Sequence, residues 1–175
     1  MNSLFKQKIV NIVFKLLFLL RGIKNSKTIY VYDIDNTIAK THEFPGFNGI
    51  LDKNNVIQLD YHKKITSKII SNYEKNDVVF FFSVRPLYLW TKTYIWLKKI
   101  GIKLKLSHLF FFQSPKHKVD LIKYLSDLGF NIKFYDDMSF NHENNKILYY
   151  EDEIKFLKKM PIKYYDYEDL NKING

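Results

Sequence analysis

Four aspartates, Asp33, Asp35, Asp136 and Asp137, stand just after short apolar runs of the chain. Brought to one point they would repel one another, and burying them together costs several kcal/mol for each uncompensated charge. Something cationic must sit among them. A hard divalent ion on oxygen ligands answers this need, and Mg²⁺, which keeps several waters and takes few protein carboxylates, fits best. Further positive charge comes from Lys118 or Lys116, a hydroxyl from Ser83, and main-chain amides from the loop through Val84 and Arg85. Metal, ammonium, hydroxyl and amides around one point make a binding site for a tetrahedral phosphate dianion.

The elements that must position these groups read as strands and helices in alternation. Residues 28–34 (TIYVYDI), 78–82 (VVFFF), 108–112 (HLFFF) and 132–135 (IKFY) are β-branched and aromatic, as buried parallel strands are. Between them, 60–75, 87–100 and 115–128 have helical spacing, with Pro86 and the Ser114–Pro115 pair as starts. ILYY at 147–150 and IKYY at 162–165 add edge strands around a helix at 151–159. The expected fold is α/β, a doubly wound and mostly parallel sheet with right-handed crossovers. In such sheets ligands bind beyond the carboxyl ends of the strands, which is where the four sets of residues fall. One domain over 28–175 is expected, preceded by an appendage over 1–27.

Taken together, the four sets resemble the motifs of the haloacid dehalogenase superfamily. DIDNT (Asp33 to Thr37) is similar to its first motif, DxDx[TV], and SVRP (Ser83 to Pro86) to its second. Lys118, followed by VDLIKYL, resembles the third, and DDMSFN (Asp136 to Asn141) the acidic fourth. The order agrees over roughly residues 28–145. The resemblance implies a Mg²⁺-dependent phosphatase that works through an aspartyl-phosphate. Asp33 is then the nucleophile, and Asp35 protonates the leaving oxygen and later deprotonates the hydrolytic water. The metal is held by Asp33, the main-chain carbonyl of Asp35 and Asp137, with Asp136 aimed at its water or at the lysine. Thr37, Ser83, Val84 and Arg85 attend the substrate, and Lys118 stabilises the transferring charge, with Lys116 the alternative. Leu121 and Ile122, three and four residues on, favour Lys118. Asn36 stands where glycine is commoner, and Asn141 where many relatives keep a further acid.

Neighbouring chemistries are excluded by what is missing. The second aspartate favours phosphoryl transfer over dehalogenation, which has no alkoxide to protonate. The DKTGT pattern of ion-pumping ATPases and the GxxxxGK[ST] loop are absent, and no HExxH spacing occurs among the five histidines. With no cysteine there is no disulfide, thiolate zinc site or thiol nucleophile. An intact Asp33/Asp35 pair argues against a non-catalytic binding module.

Substrate size follows from what the intervals leave room for. Between Thr37 and Ser83, ~15 to 20 residues go to a helix and its connections, leaving a loop or short flap in place of a cap domain. A capless enzyme suits an exposed phosphate on a small molecule, glycan or lipid. Arg85 and the aromatic helix beyond it (Tyr88, Trp90, Tyr94, Trp96) also resemble the phosphatase half of polynucleotide kinase-phosphatases, so a nucleic-acid end is the alternative substrate. Core packing is the other reading of those aromatics.

A net charge of +10 is unevenly spread. Residues 84–119 carry eight Lys/Arg and no acid, and a basic band beside a site suggests an anionic substrate. Residues 1–27 carry six Lys/Arg and no acid. IVNIVFKLLFLL (9–20) is too short to span a bilayer and is interrupted by Lys15. Its spacing predicts an amphipathic helix over residues 5–21, and no cleavage site follows it. Two readings stay open: peripheral membrane association through 5–21, which the wide apolar arc and basic flanks favour, or docking on the domain or a partner chain. The expected location is cytoplasmic, at the membrane surface if the helix binds there.

Overall fold

A computed structural model describes residues 12–15, 27–45, 47–140, 142 and 147–175. Of the expected amphipathic helix, residues 12–15 are described and are helical, and the rest of 5–21 lies outside the described residues, as does Asn141.

Five parallel strands form the main sheet: β1 (Thr28–Tyr32), β2 (Val78–Ser83), β3 (Leu109–Phe111), β4 (Asn131–Tyr135) and, at the far edge, Lys163–Tyr165. Ser139–Phe140 (β5) and Leu148–Tyr149 (β6) pair antiparallel beside it, which makes the edge strand β7. The order is β3-β2-β1-β4-β7, with β1 at the centre. ILYY thus joins the small ribbon, while IKYY takes the edge of the main sheet.

Alternation along the strands assigns side chains to two cores. Tyr32, Phe81 and Tyr135 face one side, where they meet α2 (Lys63–Glu74), α3 (Trp90–Lys99) and α6 (Tyr167–Asn174) through Ile65, Ile69, Trp96, Leu97 and Leu170. Ile29, Val31, Phe80, Phe82 and Phe134 face the other, against α4 (Pro115–Asp127) and α5 (Glu151–Lys159) through Val119, Ile122, Leu125 and Leu157. Period-two strands buried on both faces explain their nearly continuous apolar composition. A four-residue helix α1 (Lys53–Val56), capped by Asp52, and the C-terminal α6, capped by Asp166, are additions the apolar spacing did not disclose.

Phe14 decides how the N-terminal segment meets the domain. It is 1% exposed and packs edge-on against Phe80, Phe82 and Phe110, with ring centroids 4.9–5.5 Å apart. The next residue, Lys15, lies over the Tyr124 ring of α4 at 4.3 Å. Ile12 and Val13 remain exposed. No helix among the described residues is long and apolar enough to cross a membrane.

Candidate active site

Beyond the carboxyl ends of β1 and β4 the chain turns sharply, and it does so at acids. Asp33 continues β1 with its amide on Tyr135 O at 2.8 Å, and the turn that follows is made by Asn36 at φ 56°. Asparagine tolerates this left-handed conformation better than most side chains, so it serves where glycine is the commoner choice. After β4, Asp136 and Asp137 are followed by Met138 at φ 46°, whose amide donates to Asp136 Oδ1 at 2.9 Å. A methionine held there costs of order 1 kcal/mol, so the acidic turn is shaped against local preference.

From the other side α4 brings the cation. Ser114 caps the helix by accepting the His117 amide, Pro115 occupies its first turn, and Lys118 reaches inward from its buried face. Its ammonium sits 2.6 Å from Asp33 Oδ1 and 2.6 Å from Asp136 Oδ2. All three side chains are buried. Burial alone would lower the lysine's pKa, but Asp136 and Asp33 outweigh it and hold the group charged. Burial, with Asp136 and Asp35 adding to it, pushes the Asp33 carboxyl up to about 8 against the pull of Lys118. Burial and the charges of Asp136 and Asp33 likewise push Asp137 well above the usual carboxylate range.

These shifts are the mark of a site short of positive charge. Asp33, Asp136 and Asp137 offer oxygens that all lie within 4.8 Å of one another. A buried cluster of carboxylate oxygens served by one ammonium is a donor set for a hard divalent cation. Both Asp136 oxygens are already engaged, Oδ2 by Lys118 and Oδ1 by the Met138 amide, which leaves Asp33 and Asp137 as the better placed ligands. Asp137 is itself oriented by a hydrogen bond from Ser139 Oγ, which His142 Nε2 approaches at 2.6 Å.

Asp35 lies in a different electrostatic setting. Arg85 contacts both of its oxygens, Nη2 to Oδ1 at 2.7 Å and Nε to Oδ2 at 2.9 Å, and Thr41 Oγ1 donates to Oδ1 at 2.6 Å. Burial raises its pKa, yet the charge and hydrogen bonds of Arg85 and the bond from Thr41 more than reverse this and hold the carboxyl below its ordinary value. Two aspartates two residues apart are thus pushed in opposite directions.

Most of the sequence-derived residues meet here, and several stand differently from expectation. Lys116 projects from the outer face of α4 to Asp120 at 3.2 Å, whereas Lys118 lies buried between Asp33 and Asp136. Arg85, expected to hold substrate, is 4% exposed and held between Asp35 and Thr93. Ser83 is fully buried and its hydroxyl accepts the Arg85 amide at 3.2 Å. Thr37 is buried with no hydrogen-bond partner for Oγ1 among the described residues, and Val84 lines the cavities on both sides of Asp35. The aromatic helix packs inward: Trp96 is buried and donates to Leu59 O, while Trp90 donates to Leu109 O and stacks on Tyr94. Thr41, Thr93, Ser139 and His142 were not anticipated. Thr93 left a signal, because it shares the buried face of α3 with Trp96 and Leu97 at helical spacing, and a polar residue there calls for a polar partner.

No family profile matches the chain, and no curated protein matches it. Among solved structures it is similar to a class C acid phosphatase from Bacillus anthracis with tungstate bound, at 16% identity and a TM-score of 0.49. That alignment covers 75% of this chain and 63% of the other. A second structure of the class C acid phosphatase from Bacillus anthracis aligns at 15% identity and a TM-score of 0.48, over 77% and 61% of the two chains. The chain therefore spans less than two thirds of the length of either.

Proposed function

We propose that this chain is a phosphomonoester hydrolase of the haloacid dehalogenase type, dependent on Mg²⁺, with Asp33 as nucleophile and Asp35 as general acid and base. The observation that carries this reading is the Asp33–Lys118–Asp136 chain of 2.6 Å contacts beside Asp137, at the carboxyl end of the central strand. It is a buried, electron-rich pocket short of one cation, next to a second aspartate of opposite pKa tendency. Such divergence between neighbouring titratable groups is how one site divides nucleophilic from proton-transfer work.

Asp33 attacks phosphorus through a carboxylate oxygen, the bond from phosphorus to the leaving oxygen breaks, and the proton of Asp35 goes to that oxygen. Water then attacks the aspartyl-phosphate, giving its proton to Asp35 and releasing phosphate and the Asp33 carboxylate. Lys118 holds Asp33 in line and stabilises the charge on the transferring group. Asp33, Asp137 and the Asp35 carbonyl would hold Mg²⁺, with Asp136 fixing Lys118. When bound, the ion supplies the charge that lets an anionic nucleophile approach an anionic ester. Because Arg85 and Thr41 favour the ionised form of Asp35, the first step draws on its minority protonated form, and turnover should favour acidic pH.

Phosphate release from small monoesters tests the reading, with and without Mg²⁺ and with Asp33→Asn as control. Release that needs both the metal and Asp33, together with acid-stable label on the protein after a rapid quench, is the expected result. Absence of release from every ester while Mg²⁺ binds the folded protein would overturn it. The nucleic-acid alternative predicts steeply salt-dependent binding of phosphorylated oligonucleotides. The inward packing of Arg85, Trp90 and Trp96 speaks for the small-ester reading.

A further inference from the structure

A cavity of about 420 Å³ opens on the far side of Asp35 from Lys118, where the leaving group of a phosphoester would lie. Its walls are of two kinds. At the catalytic end the polar groups are already paired with one another: Thr41 and Arg85 with Asp35, and Asn36 with His42 and His142. Away from that end the walls are Phe47, Leu51, Pro86, Leu89 and Phe140.

Charge sharpens the contrast. Among the described lining residues Arg85 carries the fixed positive charge, and its guanidinium is committed to Asp35 and Thr93. Several other cations of the acid-free band point elsewhere. Lys99 donates to Ile57 O, Lys116 pairs with Asp120, and Lys103 and Lys105 line a depression with Lys27 beside the start of β2, at the opposite end of the strands. A second phosphate or a carboxylate entering the cavity would give up its water and meet no free ammonium among the described residues that line it.

The apolar character continues outward from the cavity. The segments that carry Leu51 and Leu89 are joined by a hydrogen bond from Tyr88 Oη to Leu51 O, and they expose Ile50 at 69%, Leu87 at 66% and Tyr88 at 54%. Exposed apolar side chains grouped around a concave site mark a surface that a ligand covers.

We infer that the substrate's leaving group is an uncharged alcohol with a hydrocarbon body, seated in the cavity beside Asp35 and running out along Leu87 and Ile50. The inference rests on the phosphatase reading and narrows it to phosphomonoesters of apolar alcohols. Polyanionic esters are disfavoured, because the described lining offers a second anionic group no uncommitted cation.

A series of n-alkyl monophosphates, ethyl, butyl, hexyl and octyl, kept below micelle formation, tests it, because the leaving-group chemistry hardly changes along the series. The bisphosphate of butane-1,4-diol serves as the charged comparison. The expected result is a kcat/KM that climbs by up to roughly fourfold per buried methylene, mainly through KM, with the bisphosphate below butyl phosphate. Phe140→Ala and Leu87→Ser should flatten the climb. Both side chains reach solvent, at 37% and 66% exposure, so a loss of slope with turnover retained does not report unfolding. A flat or falling series, a preferred bisphosphate, or a slope untouched by both variants overturns the inference while phosphate release from ethyl phosphate keeps the phosphatase reading. Silence on all four alkyl esters beside release from another small monoester overturns the inference alone, and silence on every monoester removes the phosphatase reading with it.

Discussion

The guanidinium of Arg85 lies across the carboxylate of Asp35, 2.7 and 2.9 Å from its two oxygens, and its remaining nitrogen donates to Thr93 Oγ1 at 3.1 Å. The arginine therefore aims an aspartate and also fixes its charge. Replacing it with glutamine removes the charge that holds Asp35 ionised, so the Asp35 pKa rises. The limb of kcat/KM on which protonated Asp35 is lost then moves to higher pH, and the rate falls roughly ten- to a hundredfold through lost aim. A pH profile of Arg85→Gln checks this. An unmoved limb would mean that Asp35 is not the proton donor.

Lys118 and Lys116 should part company on mutation. Lys118→Met leaves Asp33 and Asp136 buried without their shared partner, a loss of about 3–5 kcal/mol, together with loss of activity. Lys116→Ala removes one exposed pair, one turn apart on the helix, worth about 0.3–0.5 kcal/mol, and should retain activity. Urea melts and phosphate release on the two variants give both readouts.

Without metal, stability should depend on pH in the direction opposite to that of ordinary salt-bridged acids. The folded-state pKa of Asp33 is raised to about 8 by burial and neighbouring acids, and that of Asp137 is raised well above normal. The folded state thus binds more protons than the unfolded chain. The favourable contribution is fully present below the unfolded value near 4 and is lost as pH climbs towards 8. The metal-free melting temperature should fall across that window, and Mg²⁺ should raise it more at pH 8 than at pH 5. Thermal shift scans at the two pH values measure both effects, and Asp33→Asn should blunt them.

Among the described residues, the N-terminal segment meets the domain through the buried Phe14 and through Lys15 over the Tyr124 ring, and Phe14 makes the larger contact. Phe14→Ala should cost about 3–5 kcal/mol by emptying a site among three phenylalanines. Ile12→Ser, at an exposed position, should cost little. Equal effects in denaturant melts would argue against the docking of residues 12–15 on the sheet.

Strand and helix alternation, the placement of acids at strand ends and the start of α4 at Ser114–Pro115 were determined by the sequence alone. Each is a local property, a period of two or 3.6 closed by a turn residue, and needs no knowledge of distant contacts. Which cation meets which acid was decided in three dimensions. Lys116 and Lys118 are chemically alike, but two residues on a helix are about 200° apart around its axis, so packing of the Val119–Ile122–Leu125 face turns one inward and the other to solvent. Arg85 reads from sequence as a substrate cation because neither Asp35 nor Thr93 can be assigned to it along the chain. Fifty residues separate Arg85 from Asp35, and only the pairing of β1 with β2 brings the loops after them together. The same holds for Phe14, whose neighbours on β2 and β3 exist as a surface only once the sheet has formed. Patterns that repeat along the chain were legible, and partnerships that depend on strand register and helix rotation waited for the fold.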